Sequence, residues 1–228
     1  QITKTGGLNP AAIPFDSGII ATDDDNQTVS SGTTITYGRN DLGERTTRTK
    51  GGVTTTYTWD SNDKPGVLKA VTDGTNNLEF SYDALGNRIS ATRNGVVTKY
   101  IIDPSGSMSN VIAETNAAGD ITAYYIHGSG LVSRIDAATN EARYYHYDHT
   151  GNTVVLTDGS GAVTDQYAYD LDPFAFNVAK SGTTPNPFTF VGQFGVMDEG
   201  NNLYFMRARY YDAAEGKFLN EDPIGFEG

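Results

Sequence analysis

One short phrase keeps returning along this chain, and it constrains the fold more than any other feature. Two clear copies are Tyr82–Arg88 (YDALGNR) and Tyr147–Asn152 (YDHTGN). Looser copies lie at 37–45 (YGRNDLGER) and 100–106 (YIIDPSG), and another opens at 167–170 (YAYD). A motif that recurs about every 20 residues indicates one structural unit built many times.

Each copy has the residue types of a tight turn between two strands. Tyr82 ends a β-prone run, and Asp83 can open a turn because its carboxylate accepts hydrogen bonds from backbone N–H groups one or two residues on. Gly86 supplies a positive φ angle at little steric cost. A second β-prone run follows, so each copy predicts a β-hairpin. The motif residues are Tyr82, Asp83, Gly86, Arg88, Tyr100, Asp103, Gly106, Tyr147, Asp148 and Gly151.

Turn signals recur every 8–12 residues, the spacing of a continuous antiparallel meander. Asn94-Gly95 between two Thr/Val-rich runs is the strongest signal for a two-residue hairpin turn. We therefore predict an all-β fold in which consecutive antiparallel hairpins form a wound sheet. The predicted strands are 34–39, 45–50, 53–59, 67–72, 78–83, 88–93, 96–102, 108–115, 120–126, 131–136, 142–147, 153–158, 163–169 and 203–211.

The chain divides into four parts. We predict an irregular lead-in or partial repeat at 1–32, the repeat sheet at 33–170, a Pro-containing loop at 171–187, and a denser aromatic pattern at 188–228. Because the chain begins and ends inside recognisable sequence, we interpret it as a piece of something longer.

Composition excludes several classes of protein. The net charge of −12 argues against nucleic-acid binding, for which a basic surface is expected. The absence of cysteine excludes disulfide scaffolds and cysteine zinc sites. No apolar run is long enough to span a membrane. We expect no metal, no cofactor and no catalytic residue, since the repeated aspartates are better explained as turn caps than as acid–base pairs.

Three groups of residues leave alternatives open. His146 and His149 are interpreted as turn and surface residues rather than metal ligands, and the acidic run at 23–26 as a solvated turn rather than a calcium loop. Arg207 and Arg209 would share one face of a strand and pair with Asp212 or Glu215. The recurring tyrosines at 124–125, 144–145, 147, 167 and 169 would form a stacking ladder between strands or, alternatively, an exposed carbohydrate-binding row.

The repeat resembles the YD repeat of the Rhs proteins, and the C-terminal stretch RARYYDAAEGKFLNEDPIG resembles the start of the Rhs-associated core region. The core-motif residues are Arg207, Arg209, Tyr210, Tyr211, Asp212, Gly216, Asp222, Pro223 and Gly225. The resemblance implies a β-sheet that spirals into a hollow shell, which in toxin members encloses a C-terminal effector. It also implies that the core region plugs the shell and, in many members, cleaves the chain after a later Asp-Pro-x-Gly-Leu motif.

Two residues depart from that pattern, namely Lys217, where Arg is usual, and Phe226, where Leu is usual. The later core motif is not part of the sequence, so we expect no protease activity from this chain.

The function that the resemblance implies is a structural shell segment of a large bacterial Rhs/YD-repeat protein that encapsulates or presents a C-terminal toxin. The alternatives are a cell-surface carbohydrate-binding or adhesion module and part of an autoproteolytic core. The expected partners are the rest of the parent chain and, in addition, glycans or another protein shell, with no nucleic acid. The expected location is secreted or at the cell surface.

Overall fold

The computed structural model describes residues 21–22, 28–30, 33–60, 66–106, 108–169 and 177–222. Within these ranges the chain forms twenty β-strands and one 3-10 turn, Gly192–Phe194, so the predicted all-β fold is confirmed. The strands are β1 (Ala21–Thr22), β2 (Thr28–Ser30), β3 (Thr33–Arg39), β4 (Arg45–Lys50), β5 (Val53–Trp59), β6 (Leu68–Thr72), β7 (Asn77–Tyr82), β8 (Arg88–Arg93), β9 (Val96–Asp103), β10 (Asn110–Thr115), β11 (Ile121–His127), β12 (Leu131–Asp136), β13 (Ala142–Tyr147), β14 (Thr153–Thr157), β15 (Val163–Tyr169), β16 (Asn177–Ser181), β17 (Met197–Asp198), β18 (Leu203–Met206), β19 (Arg209–Asp212) and β20 (Lys217–Phe218). No helix in the described ranges is long and apolar enough to cross a bilayer.

The strands form two sheets in strict chain order. Strands β1 to β16 make one sixteen-stranded sheet, and β17 to β20 make a four-stranded sheet. Neighbouring strands pair antiparallel in both sheets, for example β7 with β8 and β18 with β19. The large sheet is therefore the continuous meander that the spacing of turn signals predicts.

A β-bulge follows each repeat turn and sets which side chains face inward. At the β7–β8 hairpin the register shifts between Ser81 and Tyr82, so Ile89 is an extra residue on β8. The extra residue makes Arg88 and Ala91, three positions apart, both buried on one face. The same kind of shift recurs in other hairpins that follow repeat turns. In four of them it places two residues three positions apart on the same face, namely Arg45 and Arg48, Leu68 and Val71, Leu131 and Arg134, and Thr153 and Leu156.

We call this buried side of the large sheet the inner face. It is covered by the four-stranded sheet and the chain leading into it, residues 184–222, which we call the core segment. Phe188, Met197 and Phe205 of the core segment belong to the same buried cluster as Tyr57, Phe80 and other side chains of the inner face. Tyr125 packs edge-on against Phe188 at a ring-centroid distance of 5.0 Å. The two sheets therefore share one core.

The structure corrects three sequence predictions. The strand predicted at 203–211 is a hairpin, because Met206 pairs with Arg209 and the chain turns between them. The segment predicted as a loop at 171–187 contains β16, which pairs with β15. Gly106 does not have a positive φ, unlike Gly86 and Gly151 in the two clear copies of the motif. In the lead-in at 1–32, the described residues form β1 and β2, and β2 pairs with β3, which agrees with the predicted alternative of a partial repeat.

Candidate functional site: the clasp between the two sheets

Four arginines of the repeat sheet face the core segment. Arg45 and Arg48 lie on β4, and Arg88 and Arg93 on β8. The bulges after the repeat turns place Arg45 and Arg88 at the first inward position of their strands, where both are buried. A charge in such a place needs a partner, because desolvation is costly for an unpaired ion.

Carboxylates of the core segment supply those partners in the first cluster. Nη1 of Arg45 lies 2.8 Å from Oδ2 of Asp212, and its Nη2 lies 2.9 Å from Oε2 of Glu215. Arg48 pairs with the other oxygen of Glu215. The ring of Tyr37 lies 4.7 Å from the Arg45 guanidinium carbon. Two cations and two anions are thus joined across about 170 residues of sequence.

The second cluster is centred on Glu199, whose side chain has no exposed surface. Arg88 pairs with one oxygen of this carboxylate, and Arg93 lies 2.5 Å from the other. The Arg88 guanidinium also lies over the ring of Phe205, 4.1 Å from its centroid, and 3.1 Å from the sulfur of Met197. We call these two clusters the clasp.

The pKa shifts follow from burial and from these pairs. Burial alone would lower the pKa of the Arg88 guanidinium, but the charge of Glu199 and the neighbouring Tyr210 raise it above its ordinary value. Burial raises the pKa of Asp212, the charge of Glu215 adds to this, and Arg45 opposes it. Burial would likewise raise the pKa of Glu215, but Arg45 and its hydrogen bonds lower it. The clasp arginines therefore stay charged, as is required for ion pairs that hold the core segment against the large sheet.

Neutral hydrogen bonds extend the contact along the sheet. The hydroxyls of Tyr82 and Tyr210 lie 2.8 Å apart. The backbone N–H of Arg45 donates to the carbonyl of Leu219 at 3.0 Å, and that of Thr153 donates to Thr189 at 2.9 Å. Further along, Asn186 accepts from the hydroxyl of Tyr145 and donates to that of Tyr167.

Most repeat motif residues lie in the turns and strand ends on one side of the sheet, whereas Tyr100 lies within β9 and is buried. Oδ1 of Asp83 accepts from the backbone N–H of Leu85 and Asn87, both at 2.9 Å. Asp148 caps its turn in the same way, and Asp103 accepts from Ser105. The predicted caps of all three turns are confirmed.

The motif tyrosines have a second role that the sequence did not reveal. The hydroxyl of Tyr82 donates to the carbonyl of Leu68 at 2.8 Å, and that of Tyr147 to Leu131 at 2.6 Å. Tyr169 donates to Thr153 in the same way at 2.9 Å. In each case the acceptor is the first residue of the preceding strand, so the tyrosine ties two successive repeat turns together.

The core-motif residues occupy the hairpins of the small sheet. Tyr210 is buried against the inner face, whereas Tyr211 belongs to a second cluster with Tyr204 and Ala213. Gly216 has a positive φ of 64° in the turn before β20. Pro223 and Gly225 lie outside the described residues, as does the acidic run at 23–26.

The predicted pairing of Arg207 and Arg209 with Asp212 or Glu215 is wrong. Arg207 lies in the β18–β19 turn with a φ of 60° and donates to the carbonyls of Ser109 and Phe194. Arg209 pairs with Asp222 at 2.9 Å and lies over the ring of Phe218. The two arginines point to different places because the chain reverses between them.

Sequence reasoning missed most of the clasp. The sequence marks Arg88 only as a motif residue and gives no indication of a role for Glu199. A usable signal was present, since an arginine stands two residues after the motif glycine in both 37–45 and 82–88. The sequence predicts ion pairs of Asp212 and Glu215, but with Arg207 and Arg209 instead of Arg45 and Arg48. Glu199 has no comparable signal, because only the fold brings it near Arg88.

The structure shows the surroundings of His146 and the exposure of the tyrosines proposed for a carbohydrate-binding row. His146 is exposed and its Nε2 lies 3.0 Å from the hydroxyl of Thr157. A search of the described residues finds no cluster of three His, Cys, Asp or Glu able to hold a metal. Of the tyrosines proposed for a carbohydrate row, Tyr124 and Tyr144 are each 41% exposed, and those at 125, 145 and 167 are buried.

Several known proteins are similar to this chain. The tRNA nuclease WapA of Bacillus subtilis strain 168 is 34% identical over 194 residues, which is 83% of this chain and 8% of WapA. The toxin protein Tse5 of Pseudomonas aeruginosa is 33% identical over 92 residues, covering 39% of this chain and 6% of Tse5. The chain belongs to the Rhs/YD-repeat family.

The solved structures agree with this assignment at the level of the fold. The crystal structure of TcdB2-TccC3 matches 85% of this Rhs/YD-repeat chain and 12% of its own chain, with a TM-score of 0.53 and 13% identity. No protein-family model matches the chain. This segment spans about 8% of the length of the curated WapA relatives, and the relatives include proteins named as toxins.

Proposed function

We propose that this chain is a stretch of shell wall in a larger toxin-associated protein, and that the shell encloses a C-terminal toxin. The observation that carries the proposal is the clasp. Arg45, Arg88 and their neighbours hold the core segment flat against the inner face through buried ion pairs. A core segment fixed to the inside of a wall is suited to closing a compartment and to leading the chain into it.

Protease protection of the parent protein tests this proposal. We expect the region that follows the core to resist protease in the folded parent and to be cut rapidly when expressed alone. The double variant Arg88→Ala/Glu199→Ala should remove the protection, because the core segment loses an ion pair that holds it against the large sheet. The matched control is Arg143→Ala/Glu141→Ala, which removes a half-exposed pair whose nitrogen and oxygen lie 2.8 Å apart. Equal cutting of the region in the folded parent and alone would contradict encapsulation.

A second candidate function is glycan binding on the opposite, outer face of the sheet. Tyr124 lies on β11 and Tyr144 on β13, both exposed, with β12 between them. Tyr124 is paired with Ile135 of β12 and Tyr144 with Ser133. Two strand spacings and two residues along the strand therefore separate the tyrosines by about 12 Å, a distance that suits stacking on two sugar rings. Loss of glycan-array binding in Tyr124→Ala/Tyr144→Ala, with retention in Val132→Ala, would support this function. Binding that is unchanged by the tyrosine variant would exclude it.

We further propose that this chain has no protease activity of its own. Asp222 is the one aspartate in the motif resembling Asp-Pro-x-Gly-Leu, and it pairs with Arg209 at 2.9 Å. An aspartic protease needs two carboxyl groups that share a proton. Intact-mass measurement over days at neutral pH should show a single mass. Cleavage at one peptide bond that Asp222→Asn abolishes would contradict this.

A further inference from the structure

A cavity of about 460 Å³ lies where the repeat turns meet the β18–β19 turn of the core segment. Its size is within the range of small-molecule sites. The apolar part of the wall includes Val67, Ile102 and Val111 from the large sheet, and Met197 and Phe205 from the core segment. The cavity lies away from the Arg45 cluster of the clasp but borders the other cluster, because Arg88, Met197 and Phe205 also line it. Arg88 itself is paired with Glu199.

The side chains that line the cavity favour a ligand with a negative charge. Among the described residues that line the cavity there is no Asp and no Glu, although the chain as a whole has a net charge of −12. Arg207 lines the cavity, and its described hydrogen bonds go to the carbonyls of Ser109 and Phe194 rather than to a carboxylate. Two of its five N–H donors are used there, which leaves three for a ligand. Burial lowers the pKa of Arg207, and no carboxylate in the described part of the chain opposes that shift.

A second polar group on the wall lacks its partner. Asn220 is 7% exposed and lines the cavity, and its side-chain nitrogen donates to the carbonyl of Glu221. Its Oδ1 is buried and accepts no hydrogen bond from the described residues. Buried polar atoms are nearly always paired, so an unpaired acceptor in a cavity wall suggests a donor that is not part of the chain.

We propose that this cavity binds an amphipathic carboxylate, a small molecule with an apolar body and one anionic head. The head pairs with the free donors of Arg207, and the apolar body lies against Val111, Met197 and Phe205. A bound water or a hydroxyl of the ligand donates to Oδ1 of Asn220.

Octanoate is the probe, and methyl NMR of the methionines is the readout. The chain has three methionines, which makes the assignment simple. Met197 lines the cavity, whereas Met206 packs in the separate cluster around Tyr204 and serves as an internal control. We expect a saturable shift of the Met197 methyl with octanoate, little change at Met206, and binding of neutral octanol that is weaker by about tenfold.

Three variants separate the proposal from non-specific binding. Arg207→Gln should weaken octanoate about tenfold and leave octanol unchanged. Val111→Phe fills the cavity and should weaken both probes. Arg143→Gln, which removes a charge on β13, should change neither. Equal affinity for octanoate and octanol, retention of octanoate affinity in Arg207→Gln, or the absence of any saturable shift would each overturn the proposal.

Discussion

At the residue scale, one aspartate organises each repeat turn. Asp148 accepts from the backbone N–H of Thr150 and Asn152, and its other oxygen accepts from the side chain of Asn152. Asp83 makes the equivalent bonds with Leu85 and Asn87. These caps could be predicted from the sequence because donor and acceptor lie within four residues of each other.

Removal of one aspartate cap should lower the free energy of unfolding only modestly. We expect Asp148→Ala to lower the free energy of unfolding by about 1 kcal/mol, because the turn N–H groups lose their acceptor. Urea denaturation measures this change. His149→Ala in the same turn is the control, since His149 is exposed, and it should change the free energy by less than about 0.5 kcal/mol. Equal effects of the two variants would contradict the capping role.

The same caps make the fold sensitive to acid. The hydrogen bond from the Asn87 side chain lowers the pKa of Asp83. Burial would raise the pKa of Asp148, but hydrogen bonds from Thr150 and Asn152 lower it overall. A folded pKa below the unfolded value of about 3.9 gives stability that is present above that pH and is lost as the pH falls through the folded pKa.

The cost of Asp148→Ala should therefore shrink as the pH falls from 6 to 3. Unfolding free energies of the parent and the variant, measured at each pH, test this prediction. A difference between the two proteins that is constant over this range would show that the carboxylate charge plays no part.

At the element scale, the bulge after each repeat turn decides which residues face inward. A regular strand would place Arg88 and Ala91 on opposite faces, because side chains alternate with a period of two. The extra residue Ile89 removes that conflict, and it is 38% exposed as a result. The alternation of β-prone residues predicts the strands, but it does not predict the bulges, after which successive side chains lie on the opposite face from the one expected.

Other errors at this scale have equally specific causes. Asn94-Gly95 was recognised as a turn because both residues favour the positive φ angles that they adopt, 49° and 83°. The turn at Arg207 was missed because arginine rarely adopts a positive φ. No local sequence pattern predicts the ion pairs of the clasp, since Arg88 and Glu199 are 111 residues apart.

Deletion of a bulge residue should be far more damaging than its replacement. We expect deletion of Ile89 to destabilise the fold strongly, because the shift moves either Arg88 or the following Ala91 to the outer face. Ile89→Thr keeps the bulge and should cost less than about 1 kcal/mol. Thermal unfolding of both variants measures the contrast. Similar melting temperatures would contradict the assigned register.

At the scale of the whole molecule, the repeat sheet and the core segment are one structural unit. The described large sheet ends at β1 and β16, and edge strands recruit other chains. We expect concentration-dependent association of this segment in light scattering. A lysine on the last strand, Ala179→Lys, should reduce it. A segment that stays monomeric at high concentration would show that its edges are covered.

The central claim is that buried ion pairs dock the core segment on the inner face, and a double-mutant cycle at Arg88 and Glu199 tests it most directly. Removal of either residue leaves the other buried charge without one of its ion-pair partners and should lower the free energy of unfolding by about 3–5 kcal/mol. The account predicts that Arg88→Met/Glu199→Gln costs clearly less than the sum of the single variants, with a coupling free energy of at least about 1 kcal/mol. Costs that add within about 0.5 kcal/mol would show that the two residues do not meet, and the proposed docking of the core segment would be contradicted.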